Sequence, residues 1–185
     1  MSNRLKCWHP SSEINSKVIP IGHGVNPEHF QPQGPKDALR RELGLPLKRK
    51  ILLTVRRLEE RMGIDCLIRS LKLLCAARKD LFLVVVGRGR LEQSLRKMVS
   101  ELGLKREVLF WGYAEEELLP KLYSASDLFV LPTQELEGFG LVLLEASACG
   151  TPVVATPVGG IPEAIGPLKP HFLSEGVDEK ALSSA

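Results

Sequence analysis

Two stretches of the chain, Ile51-Leu52-Leu53-Thr54-Val55 and Leu81-Phe82-Leu83-Val84-Val85-Val86, are apolar at nearly every position. A strand with one wet face alternates polar and apolar side chains. Unbroken apolar runs of this length are what strands buried on both faces require. Similar runs lie at 17–21, 108–110, 127–131 and 152–155.

Helical patterns separate the runs. Over 63–78 the apolar residues Ile64, Leu67, Ile68, Leu71, Leu74 and Cys75 recur at spacings of three and four. Over 90–102 the stripe is Leu91, Leu95, Met98, Val99 and Leu102, with Gly103 as the stop. Leu118, Leu119, Leu122 and Tyr123 mark a third helix, 139–149 a fourth, 37–43 a shorter one and 178–185 a last. Alternating β and α units predict an α/β fold: a doubly wound, Rossmann-like parallel sheet with helices on both faces. Ligands of such sheets sit at the carboxyl ends of the strands, so the informative residues are expected there.

The chain has 185 residues, enough for one good core and short of two comfortable ones. Residues 1–16 are polar and aperiodic and read as a linker or remnant; 17–185 read as one domain, truncated inside its last helix. With 44% hydrophobic and 25% charged residues the composition argues against wholesale disorder. A net charge of +3 permits a small anionic ligand without demanding nucleic acid, and no nucleic-acid partner is expected. Cys7, Cys66, Cys75 and Cys149 have no metal-ligand spacing and read as reduced thiols of a cytoplasmic protein. No run reaches membrane-spanning length and no signal peptide opens the chain. Membrane contact is therefore expected only through a surface patch or the rest of a larger protein.

Five segments follow the strands. Arg56, Arg57 and Arg61 punctuate the loop 55–63; they suit a diphosphate clamp, or a solvated loop neutralised by Glu59 and Glu60. Gly87 and Gly89 let the backbone approach a ligand, or simply make a tight turn. The dinucleotide fingerprint is not met, because Glu92 stands where its third glycine belongs. Trp111, Gly112 and Tyr113 suit the border of a base, while Phe110 suits the core. In the fourth segment Glu137 precedes Gly138, Phe139, Gly140 and Leu141 at a helix start, with Glu145 one to two turns on. Amides at that start are positioned to meet sugar hydroxyls or phosphate. A carboxylate at 145 needs a partner: ribose hydroxyls, an arginine or a backbone amide. The fifth, 155–163, with Gly159 and Gly160, reads as a shaped strand-to-helix loop.

In combination these segments resemble the C-terminal domain of family 4 glycosyltransferases, which have the GT-B fold. The resemblance runs from about Val18 to Glu163. Its elements are Lys17-Val18-Ile19-Pro20 with Gly24-Val25-Asn26 and Phe30-Gln31-Pro32; Arg57-Leu58 through Gly63; Glu137 and Glu145 as a Glu-x7-Glu motif around Gly138-Phe139-Gly140; and Gly150-Thr151-Pro152-Val153-Val154-Ala155.

The resemblance implies a retaining transfer of a sugar from a nucleotide-diphosphate donor. Arg57 would bind the diphosphate, Glu137 would lie near the transferred sugar, and amides around Phe139 to Leu141 would hold sugar and phosphate. Glu145 would bond the ribose, and residues near Trp111 to Tyr113 would border the base. The acceptor would sit on an N-terminal domain outside this chain. The chain departs from the family at residue 62, where Met62 replaces a usual lysine; Arg61 is the expected substitute. Asn26 replaces a common aspartate and Arg90 a common proline. No Asp-x-Asp occurs, so no metal or other cofactor is expected, and leaving-group charge would be met by arginines and helix-terminal amides. The competing classes are a non-catalytic nucleotide-binding or regulatory domain and a nucleotide-sugar epimerase. A nicotinamide dehydrogenase fits less well, its glycine motif being misplaced and incomplete.

Overall fold

The computed structural model describes residues 24–165 and 172–185. The run expected as a strand at 17–21 lies outside the described residues. The other five runs become β1 (Lys50–Val55), β2 (Leu81–Val86), β3 (Val108–Gly112), β4 (Leu128–Leu131) and β5 (Val153–Ala155). They form one sheet in the order β3-β2-β1-β4-β5, and every neighbouring pair is parallel.

Seven helices accompany these strands among the described residues: α1 (Lys36–Glu42), α2 (Ile64–Ala77), α3 (Glu92–Glu101), α4 (Leu119–Ala125), α5 (Leu141–Ala148), α6 (Ile161–Ile165) and α7 (Glu179–Ser184). Short 3₁₀ turns at Glu60–Met62 and Glu116–Leu118 precede α2 and α4. Neither turn is legible as apolar periodicity. The segment 155–163 is more than a loop, since its last three residues already belong to α6.

Two hydrophobic layers explain why the strands lack alternation. Ile51, Leu53, Val84, Val86, Phe129 and Leu131 point into a layer with Leu39 of α1, Leu122 and Tyr123 of α4, Leu143 and Ala146 of α5, and Ile161 of α6. Leu52, Leu83, Val85 and Val130 point the other way, onto Leu67, Ile68 and Leu71 of α2, Leu95 and Val99 of α3, and Leu182 of α7. Successive side chains face opposite sides, and both sides are dry. The α2 and α3 stripes bury as their spacing predicts.

Polar residues fix the edges. Arg40, its side chain 6% exposed, donates to the Ala125 carbonyl at 2.9 Å and to Asp127 at 2.6 Å. Asp127 also accepts from the Ile51 amide at 2.8 Å. Residue 127 thus ends the run that continues as β4 by binding β1 and α1. Asp178 caps α7, accepting from the amides of Lys180 and Ala181, each at 2.9 Å. Cys66 and Cys149 are buried free thiols and Cys75 is half-buried; Cys7 lies outside the described residues.

The strand order reverses between β1 and β4. Connections leave β1 toward β2 on one side, while β4 and β5 lie on the other. At such a switch point the loops after the two central strands diverge and leave a crevice at the carboxyl edge.

Candidate functional site

The crevice at that edge has a volume of about 750 Å³ and is lined by arginines from two loops, Arg56, Arg57 and Arg61 after β1 and Arg88 after β2. Glu116 and Glu145 supply the acidic side of the lining, and Met62, Tyr113, Phe30 and Leu119 the apolar part. Cations outnumber acids along this wall, so the cleft favours an anion.

Arg56 directly follows β1, and its amide extends the ladder to the Val86 carbonyl at 2.9 Å. Its side chain turns inward. Nη2 donates to Glu137 at 2.5 Å, to the Thr133 hydroxyl at 3.1 Å and to the Met62 sulfur at 2.8 Å. Both partners of the Arg56–Glu137 pair are 11% exposed. Burial lowers the guanidinium's affinity for its proton; Glu137 opposes that, and neighbouring Arg61 adds to it. The group stays charged, as guanidinium groups do in proteins. Thr133 also donates to Glu137 at 3.1 Å. Glu137 is therefore held from two sides by residues of two different loops.

Arg57 is exposed and lines the cleft. Arg61 is exposed too, and its Nη1 donates to the Leu136 carbonyl at 2.8 Å. The Arg61 carbonyl accepts from the Gln134 amide at 2.8 Å. Arg61 thus ties the loop after β1 to the loop carrying Glu137. Leu136, beside it, is 78% exposed with φ 56°, a left-handed conformation that costs a leucine energy.

Glu145 stands on α5 and accepts from the Tyr123 hydroxyl of α4 at 2.7 Å. Its partner within the protein is thus a tyrosine rather than an arginine or a backbone amide. Burial raises the Glu145 carboxyl above its ordinary range; the Tyr123 bond works against that and nearby Glu116 with it. Burial and the adjacent carboxylate keep the Tyr123 hydroxyl protonated well above its usual range, so it serves as a donor.

The glycine-rich turn into α5 lies next to the cleft rather than along its lining. Gly140 precedes α5 with φ 77°, and no side chain caps the first turn. Leu141, the first helical residue, is 39% exposed, and Phe139 is half-buried. Gly138 has open space beside its Cα. The loop after β5 backs this turn: a Cβ on Gly160 would collide with the Gly138 carbonyl, and the Gly160 amide donates to the Glu137 carbonyl at 3.2 Å.

Gly87 lines the cleft, yet its want of a side chain serves the neighbouring loop first. A Cβ there would collide with the Arg56 carbonyl, and one on Gly89 with the backbone of Leu58. After β3, Tyr113 reaches the cleft and Arg88 stacks over its ring at 6.0 Å. Trp111 packs against the core layer of α4 and α5 and is not part of the lining. Gly112, φ 84°, turns the chain between them and accepts the Gly87 amide at 2.7 Å.

The structure brings Arg57, Arg61, Gly87, Tyr113 and Glu145 to one cleft, with Glu137 reached through Arg56. Arg56 is expected in the diphosphate clamp but not as the partner of Glu137, and Thr133 and Tyr123 are not singled out as site residues. No local signal marks these pairings, because Arg56 and Glu137 are 81 positions apart and Tyr123 and Glu145 are 22 apart.

A parallel sheet with a cationic cleft at its carboxyl switch point is the donor-side architecture of the GT-B glycosyltransferases. Comparison with known proteins agrees: residues 35–185 match the family described as Glycosyl transferases group 1. The chain belongs to that family. It is 36% identical over 168 residues to the GDP-mannose-dependent monoacylated alpha-(1-6)-phosphatidylinositol monomannoside mannosyltransferase of Corynebacterium glutamicum, a match covering 86% of the chain and 43% of the relative. Among solved structures, sucrose-phosphate synthase from Thermosynechococcus elongatus superposes with a TM-score of 0.78 at 32% identity, covering 89% of this chain and 41% of that one. Anabaena HepE, solved with UDP and glucose, gives a TM-score of 0.76 at 27% identity, covering 89% and 45%. The C-terminal domain of the group 1 protein LpcC from Francisella tularensis gives 0.75 at 26% identity, covering 87% and 85%. The chain thus spans less than half the length of the mannosyltransferase and of sucrose-phosphate synthase. Among the described residues no helix is long and apolar enough to cross a membrane.

Proposed function

We propose that residues 17–185 form the donor-binding domain of a retaining, metal-independent glycosyltransferase whose acceptor is held by an N-terminal domain outside this chain. The observation that carries the reading is the convergence of Arg56, Arg57, Arg61 and Glu145 on one cleft at the switch point of the sheet. The match to an isolated C-terminal domain over most of its length supports the division of labour.

In this reading the donor lies across the cleft with its diphosphate against Arg57 and the amides that open α5. Glu145 accepts from the ribose hydroxyls on one side, and Glu137 faces the transferred sugar on the other. Tyr113 borders the base. As the bond from the anomeric carbon to the diphosphate breaks, negative charge grows on the departing phosphate oxygen. Fixed guanidinium groups and main-chain N–H groups answer that charge without reorganising, which is where they lower the barrier. The acceptor hydroxyl oxygen bonds to the anomeric carbon with configuration retained, and its proton passes to the departing diphosphate oxygen. Glu137 is given no nucleophile role, because Arg56 and Thr133 occupy it as a hydrogen-bonded carboxylate.

Closing the cleft against a second domain excludes water, so the chain alone binds donor and transfers nothing. The relatives named above concern GDP-mannose and UDP, and both bases belong in the test. Calorimetric titration of the chain with GDP- and UDP-linked sugars is expected to show binding to one series, unaffected by EDTA. Arg57→Ala should weaken it about tenfold, the size expected for one hydrogen bond to a charged group. Absence of binding to either series, or transfer by the chain alone, contradicts the proposal.

A further inference from the structure

The family resemblance puts a lysine immediately before Gly63, and this chain has Met62 there. We propose that Arg56 supplies the missing positive charge of the diphosphate site. The inference rests on the reading of the cleft as a nucleoside-diphosphate site.

Three observations carry it. The first is position. Arg56 Nη2 lies 2.8 Å from the Met62 sulfur, and Met62 is 5% exposed. The Arg56 guanidinium thus touches the residue-62 side chain, and both residues line the cleft.

The second is an unmet donor. Nη2 is fully engaged, but the buried Nε of Arg56 has no hydrogen-bond partner among the described residues. A buried N–H left without an acceptor is costly, and few persist without a use. Arg56 lines the cleft, and a phosphate oxygen is the acceptor such a donor favours most.

The third is charge. Glu137 neutralises Arg56, but Arg61 stands close enough to depress the Arg56 proton affinity further. The salt bridge to Glu137 is made by Arg56, which leaves Arg57 and Arg61 along the same cleft for an anion of more than one charge to balance.

Arg61 fits the substitute's role less well. It is exposed, and it spends Nη1 on the Leu136 carbonyl at 2.8 Å, bracing the segment that leads to Glu137. Arg56 has a further consequence that a lysine at 62 lacks. One rigid guanidinium holds Glu137 by Nη2 and lines the cleft with its Nε unpartnered among the described residues, so in this reading the carboxylate and the leaving group share a single planar anchor.

The test is calorimetry of this chain with UDP and GDP, alongside uridine and guanosine. Arg56→Met is expected to weaken the diphosphate that the wild type binds by about tenfold or more, the loss of one hydrogen bond to a charged group. Nucleoside affinity should be unaltered. The double variant Arg56→Ala/Met62→Lys should return diphosphate affinity to within about threefold of wild type, which a purely structural arginine would not allow. Undiminished diphosphate binding by folded Arg56→Met, or a loss that Met62→Lys does not recover, overturns the proposal. Should the Arg56 variants not fold, Met62→Lys alone decides. With the charge already supplied it should tighten diphosphate binding by less than about twofold, whereas a tenfold gain would show that the charge was missing. A wild type that binds neither diphosphate removes the proposed function as well; the outcomes above remove only the role of Arg56.

Discussion

Gly159 packs so closely on Glu137 that a Cβ at residue 159 would collide with the Glu137 carbonyl oxygen. Its φ of 59° independently disfavours any side chain. The loop after β5 is therefore a backstop for the loop after β4, bracing the main chain of Glu137 from behind while Arg56 and Thr133 hold its side chain. Gly159→Ala adds strain and a clash together. We expect a loss of roughly 1–3 kcal/mol, seen as a fall of about 3–10 °C in the unfolding midpoint, with weaker nucleotide binding. Unaltered values of both in calorimetry would show that the backstop is not needed.

Glu145 gives a change that helps stability and harms binding. Its folded carboxyl, raised chiefly by burial, holds its proton more tightly than the unfolded one does. That contribution is complete below the ordinary carboxylate range. It is lost as pH rises through the raised folded value, where the unfolded chain gains more by ionising. At neutral pH the buried carboxylate therefore costs stability. Glu145→Gln should gain on the order of 0.5 kcal/mol at pH 7 and flatten the profile between acid and neutral pH. Its donor affinity should fall about tenfold with loss of the charged acceptor. Thermal melts across pH, paired with calorimetry, check both signs; a lower midpoint at pH 7 contradicts the account.

Tyr123→Phe probes the same pair from the other side. The ring keeps its edge-to-face contacts with Phe30 and Phe129, and only the donor is removed. A half-buried carboxylate then loses its partner at a cost of about 1–3 kcal/mol. The penalty should shrink in the Glu145→Gln background, where no charge remains. A double-mutant cycle by urea unfolding measures that coupling, and additive costs would mean that the hydroxyl contributes nothing to the carboxylate.

Asp127 behaves in the opposite sense to Glu145. Burial pushes its carboxyl up, but the Ile51 amide and the Arg40 guanidinium together hold it below the ordinary value. Its contribution is complete above the unfolded value and is lost as pH falls through the depressed folded value. Asp127→Asn leaves Arg40, 6% exposed, without its counter-charge. A loss on the order of 3 kcal/mol at pH 7 is expected, with a shallower acid limb in urea titrations at stepped pH. An acid limb as steep as that of the wild type would place the titrating group elsewhere.

Much of the fold is legible in the chain because the signals are local. The unbroken run at Leu81 to Val86 announces a strand covered on both faces, and Ile64, Leu67, Ile68 and Leu71 announce the buried stripe of α2. The carboxyl-edge rule then points to the loops that form the cleft. Arg57, Tyr113 and Glu145 do line it, whereas Trp111, adjacent in sequence to Gly112, turns into the core. Along a strand neighbouring side chains alternate faces, so a residue type read without its register cannot be assigned to one side. The glycines show a similar limit. Gly87 and Gly89 are recognisable as sites of close approach, but their nearest neighbour is the backbone of Arg56 and Leu58.

By itself the sequence determined the class of fold, the edge where the cleft opens and the family, because hydropathic period and motif order are properties of short stretches. Tertiary structure alone decided which charges meet. Arg56 reaches Glu137 because β4 lies beside β1, and Tyr123 reaches Glu145 because α4 and α5 share a face of the sheet. Those meetings depend on strand order and packing over tens of residues. The physical state of the two acidic side chains, one ion-paired and one hydrogen-bonded with its proton affinity raised, follows from them.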